Sequence, residues 1–119
     1  MKLINIISAR QTLDKFADKD ISGHLSYWMT KFIVKTQADY EFYVNEVRKI
    51  FKKYAEKQDN DELAIPADKV ADYNRDISEL EVTEAEDPGI RFDLREIDSE
   101  LKLTMRQMYT LIDFINEDQ

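Results

Sequence analysis

Few residues in this chain are placed for chemistry, and the tightest spacing is Asp18-x-Asp20-x-Ser22-Gly23 followed by Leu25. An EF-hand calcium loop sets oxygen ligands at positions 1, 3 and 5, glycine at 6 and an apolar residue at 8, all of which are matched. Position 12, where the loop needs a bidentate glutamate, holds Met29. Without those two oxygens a hard cation is under-coordinated, and Asp20 or Ser22 reads instead as the N-cap of the helix that follows. His24 is the only histidine and cysteine is absent, so a His/His/carboxylate or thiolate metal site is excluded. Acid–base work would fall to His24 with a carboxylate, but a polar residue at a helix start is the better account of His24. Asp93, Glu96, Asp98 and Glu100 offer the paired carboxylates of glycoside hydrolysis, yet a chain with 25 acidic residues shows such clusters through composition alone. Two glycines, Gly23 and Gly89, cannot build a glycine-rich phosphate loop. The residues therefore predict no enzyme, no cofactor and no metal centre.

The elements that would position these residues are helical. Met29, Ile33, Thr36, Tyr40, Tyr43, Val47, Ile50 and Tyr54 alternate spacings of three and four, which predicts one helix over 25–57, of about 33 residues and about 50 Å. Leu25, Trp28, Phe32, Val44 and Phe51 widen that stripe into a face that needs a partner. A first helix is expected over 5–18. Gln58-Asp59-Asn60-Asp61 is a polar turn, 62–65 alternates as a short strand, and Pro66 sits where a third helix over 67–85 begins. Asp87-Pro88-Gly89 is a turn, after which Ile90, Phe92 and Leu94 alternate with Arg91, Asp93 and Arg95 as a strand whose partner is 62–65. Thr104 and Gln107 have capping-box spacing at the head of a fourth helix ending near Asn116. The expected fold is mainly α, a single domain over 1–119 of order α-α-β-α-β-α. Four helices, a long central helical hairpin and a small two-stranded β element compose it.

Composition narrows the classes. Low glycine and proline fit long uninterrupted helices, and no stretch reads as a signal peptide or a membrane span. A cytoplasmic protein without membrane contact is expected. The net charge of −8 argues against direct nucleic-acid binding. Residues 1–58 carry 11 basic and 7 acidic side chains, whereas 59–119 carry 6 and 18. The acidic segment 59–86 folded back on the lysine-rich end of the long helix would give this asymmetry a local cause.

Aromatic side chains crowd the long helix beyond what one intramolecular seam uses, so Trp28, Phe32, Tyr40, Phe42, Tyr43 and Phe51 are the candidate interface for a protein partner. The surplus also suggests a homodimer. The order of parts, with Lys53-Tyr54-Ala55-Glu56-Lys57 closing the long helix and Asp72-Tyr73-Asn74-Arg75-Asp76-Ile77-Ser78-Glu79-Leu80 in the next, resembles small helical proteins of unknown function. Those proteins are encoded by tailed bacteriophages and prophages of Gram-positive bacteria. The resemblance is one of layout and transfers no site residue. It implies a non-enzymatic accessory role in assembly or as a chaperone-like factor, acting through protein–protein contact. The other expectation is an acidic inhibitor whose carboxylates occupy a nucleic-acid groove on a host replication or defence protein. Because Met29 stands where the calcium-ligating glutamate belongs, thermal melts in chelator and in millimolar calcium should superimpose; a rise of several degrees with calcium would show that the Asp18–Gly23 loop binds it.

Overall fold

In a computed structural model, which describes residues 1–116, the chain forms α1 (Leu3–Asp14), α2 (Gly23–Lys35), α3 (Gln37–Tyr54), β1 (Glu56–Lys57), β2 (Leu63–Ala64), α4 (Val70–Glu81), β3 (Phe92–Asp93), α5 (Leu94–Leu101), α6 (Met105–Leu111) and β4 (Ile115–Asn116). Single turns of 3-10 helix precede α4 and follow α6. The described residues are thus mainly helical, with six α-helices where four were expected.

The first additional helix comes from an interruption of the expected 25–57 rod at Thr36. That residue is fully buried, and its φ of −101° and ψ of 7° leave the helical region. Its hydroxyl donates to the Phe32 carbonyl at 2.7 Å, a back-bond that bends helices. The Arg10 guanidinium of α1 donates to the Ile33 carbonyl at 2.6 Å and to the Thr36 hydroxyl at 3.1 Å, and it reaches the Gln37 side chain. It also lies 4.6 Å from the Tyr40 ring centroid. A cation from another helix therefore occupies carbonyl and hydroxyl groups at the joint, where it also complements the negative end of α2.

The second additional helix is α5. Ile90 and Phe92 are buried as the strand pattern requires, but Asp93 accepts from the amides of Arg95 at 2.8 Å and Glu96 at 3.3 Å and starts a helix at once. Ile97 and Leu101 fill its inner face, and Lys102, at φ 51°, ends it. The strand is left two residues long and pairs in parallel with β4, not with 62–65. β2 pairs instead with β1, Glu56 opposite Ala64 and Lys57 opposite Leu63. The connecting turn is tight enough to close locally: Gln58 donates to Glu62, Asp61 takes φ 66°, and the Asn60 side chain accepts from the Glu62 amide.

Other helix starts follow their signals, but α1 ends at Asp14, α4 at Glu81 and α6 at Leu111, short of the expected 18, 85 and 116. Ser22, not Asp20, caps α2, accepting from the Leu25 amide at 3.3 Å. Thr104 and Gln107 form both bonds of the capping box. α3 and α4 run antiparallel: Tyr54 meets the Tyr73 ring edge-on at 6.4 Å, while Tyr40, Tyr43 and Val47 pack with Leu80. The hairpin is therefore present, built on α3 rather than on a single long rod.

Two apolar clusters result. Ile6, Ala9 and Leu13 of α1 join Leu25, Met29 and Phe32 of α2 and the inner residues of β3, α5, α6 and β4. Leu3 and Ile7, on the adjoining face of α1, join Leu80 and the half-buried inner residues of α3. Ala85 touches both clusters. The radius of gyration is 17.3 Å, against about 13.5 Å for a compact chain of this length, so the molecule is elongated.

Removing the clamp at the joint with Arg10→Ala takes the charged donor from the Ile33 carbonyl and the Thr36 hydroxyl, leaving the carbonyl only the longer contact from Thr36 at 3.4 Å. We expect a loss of about 2–3 kcal/mol in chemical denaturation, the range for charged hydrogen bonds in partly buried sites. An unchanged midpoint would show that Thr36 breaks the helix without Arg10.

Candidate functional site

The fold brings His24, in the first turn of α2, against Glu96, in the first turn of α5. The imidazole Nδ1 lies 2.8 and 3.0 Å from the two carboxylate oxygens. Both helices start here, Ser22 capping one and Asp93 the other, and the Ser22 amide donates to Glu100 at 3.4 Å. Of the four carboxylates with glycosidase-like spacing, Asp93 is thus a cap, Glu96 and Glu100 tie α5 to the start of α2, and Asp98 faces solvent. The imidazole is 69% exposed. A His–carboxylate pair can move a proton, but this one stands open to water at the surface, and water exclusion is what strengthens such chemistry.

Of the Asp18–Gly23 stretch, Ser22 serves helix capping. Asp18 and Asp20 are exposed, the Ser22 hydroxyl serves the Leu25 amide, and Met29 turns into the core at 6% exposure. Among the described residues no three His, Asp or Glu side chains gather closely enough to hold a metal ion. None of the described helices is long and apolar enough to cross a membrane.

The six aromatic interface candidates separate. Phe32 is fully buried, with its ring 4.9 Å from Phe114 and 6.0 Å from Phe92, so it leaves the candidate interface: it lies at the turn of α2 that faces the core. Tyr40 is half-buried beneath Arg10. Tyr43 and Phe51 are half-buried as well, and burial together with the nearby Glu81 pushes the Tyr43 hydroxyl up from its ordinary value. Trp28 and Phe42 remain large exposed surfaces.

Exposed apolar groups outside that set are Tyr27 and Val34 on α2, Leu63, Val70 and Val82 around α4, and a stripe on the last helix. Tyr27 stands edge-on to Trp28 at 5.3 Å. Met105, Tyr109 and Ile112 share the outer face of α6 and the turn after it. Arg106, Gln107, Thr110 and Asp113 take one side of Thr104–Ile115, but Met105, Tyr109 and Ile112 widen its apolar arc beyond what one buried face uses; that excess was the available signal.

The electrostatics of the α3–α4 pair centre on Asp76. It accepts from the Tyr54 hydroxyl at 2.6 Å and from Lys53 at 3.1 Å, and it meets Arg75 at 3.4 Å. Asp76 is the acidic residue of α4 that forms an ion pair with α3. Lys49, Lys57 and Lys69 pair with Glu46, Asp61 and Glu56, so among the described residues the expected acidic-on-basic packing joins α3 to α4 at Asp76, with Lys57–Asp61 a local contact within the turn.

No protein-family model, no curated protein and no solved structure matches this chain.

The Tyr54 hydrogen bond, followed by the Lys53 contact, holds the Asp76 carboxyl below its ordinary value of 3.8. A depressed carboxyl contributes stability that is complete above its unfolded value and is lost as pH falls through the folded one. In Tyr54→Phe the Asp76 value should rise toward the ordinary carboxylate range in a carbon-detected NMR titration. An unchanged value would assign the depression to Lys53 and Arg75 alone.

Proposed function

We propose that this chain is a non-enzymatic accessory protein of a phage or prophage, acting by binding another protein in assembly or as a chaperone-like factor. The observation that carries the binding role is the set of large side chains left exposed on α2 and α3: Tyr27, Trp28, Val34 and Phe42. Tryptophan and tyrosine are the side chains that most often anchor protein interfaces. Tyr27, Trp28 and Val34 sit on a helix fixed from behind by Leu25, Met29 and Phe32, so a partner would meet a surface already ordered there. The phage setting rests on the resemblance in the order of parts.

A second reading is supported by the acidic segment. Between residues 59 and 86 there are ten carboxylates and two cations, and eight of those carboxylates are exposed. With one ion pair reaching α3, most of this charge faces outward, as an inhibitor occupying a nucleic-acid groove on a host protein would require.

Photo-crosslinking residues placed at Tyr27 and Phe42, and separately at Asp68 and Asp72, discriminate the two in infected cells. The first reading expects adducts from Tyr27 and Phe42 to a phage structural or assembly protein. Adducts from Asp68 and Asp72 to a host nucleic-acid-binding protein would replace it with the second, and no adducts from any position would overturn both.

A further inference from the structure

The outer face of α6 has a polarity that fits one partner. Met105 is 87% exposed, Tyr109 79% and Ile112 46%, and their spacing of four and three places them in one line. This is not a loose end of the chain. Leu111 and Phe114 on the opposite side are fully buried, and the Thr110 hydroxyl, which donates to the Gln107 carbonyl at 2.7 Å, lies 2.7 Å from that of Thr12 on α1.

The two ends of the line differ in shape. At its C-terminal end a groove of about 530 Å³ opens between α6 and α1, with Tyr109, Ile112 and Asp113 on one wall and Asn5 and Ser8 on the other. At its N-terminal end Met105 projects outside the groove. The ends also differ in charge. Arg106 beside Met105 is exposed and has no hydrogen-bond or ion-pair partner among the described residues, whereas Asp113, also exposed, lines the groove; Glu84 lines it too but is held by the Met1 ammonium, and Lys2 lies beside them.

We infer that this face binds a second copy of the same chain, with the two α6 helices antiparallel about a two-fold axis near Tyr109. That arrangement inserts Met105 of each copy into the groove of the other, beside Ile112, and sets Arg106 against the other copy's Asp113. A knob beside the unpaired Arg106 and a hole beside the Asp113 carboxylate, on opposite sides of one residue, give the self-complementarity that an isologous contact requires. Antiparallel helices also bring opposite dipole ends together. The inference adds a second face to the binding role proposed above and does not depend on the phage setting. It also moves the expected dimer contact away from the Trp28–Phe32 end, where Phe32 is buried.

Light scattering on the full chain across a hundredfold concentration range tests it. The wild type should rise from the 14.1 kDa of one chain toward twice that mass. Met105→Glu and Tyr109→Glu should each weaken association at least about tenfold, the effect of about 1.4 kcal/mol. Arg106→Asp alone should weaken it, and adding Asp113→Arg should recover most of the loss. Because the chain has no cysteine, Tyr109→Cys supplies a check that needs no destabilising charge: on mild oxidation it should form intermolecular disulfide at least tenfold faster than Phe42→Cys. A constant mass of one chain, an association unaffected by Tyr109→Glu, or equal crosslinking at the two positions would overturn the inference while leaving the α2–α3 surface to its own crosslinking test.

Discussion

Helix α1 must satisfy two hydrophobic clusters at once, and the positions of the other helices follow from that constraint. Its twelve residues bury Leu3, Ile6, Ile7, Ala9, Thr12 and Leu13. Four of these are large aliphatics, each contributing about 1.5–3 kcal/mol on burial, so together they are comparable with the whole net stability of about 5–15 kcal/mol expected of a domain. Isoleucines at 4, 6 and 7 are not strong helix formers, and a helix this short is marginal in water. Packing on both faces is what makes it one. The Leu3 amide donates to the Thr83 carbonyl at 2.8 Å and the Ala85 amide to the Met1 carbonyl at 2.7 Å, tying its start to the end of α4. Arg10 holds the α2–α3 joint, and Thr12 reaches α6.

Local signals were legible where they act locally. Thr104 and Gln107 lie within one turn of each other, as do Ser22 and Leu25, and their bonds form as their spacing implies. The α3–α4 seam was legible because a 3,4 spacing depends on nothing outside the helix. The break at Thr36 was not: its stripe is continuous, and the group that occupies the Ile33 carbonyl comes from Arg10, far away in sequence. α5 was hidden for a different reason. Asp93 satisfies the alternation of a strand and also caps a helix, and the spacing Asp93-x-x-Glu96 was a helix-start signal competing with the Ile90–Arg95 pattern. Strand pairing failed for want of length, since two-residue strands carry no pattern that selects a partner.

The candidate surface was legible in residue type and not in direction. Phe32 and Phe42 are chemically alike, but the break at Thr36 and the core around Phe92 and Phe114 decide that the first is buried and the second exposed. The juxtaposition of His24 with Glu96 joins residues 72 apart and no spacing foretells it. Met105 and Tyr109 read as members of a core face because they continue the apolar arc of the last helix; once Leu111 and Phe114 claim the interior, the remaining stripe must face out. The charge asymmetry between the halves was real in sequence but has one direct expression between α3 and α4, the Asp76 site.

If α1 is the element shared by both clusters, its amides can open only when both clusters open. Native-state hydrogen exchange measures this directly. The amides of Ile7 to Leu13 should exchange most slowly and at the free energy of global unfolding, while those of α4 and of the β1–β2 turn, where Tyr54 and Leu80 are the buried residues of the α3–α4 pair, should exchange through a smaller opening. Faster exchange in α1 than in α5 and α6 would contradict the account, because the molecule would then keep a core that α1 does not hold together.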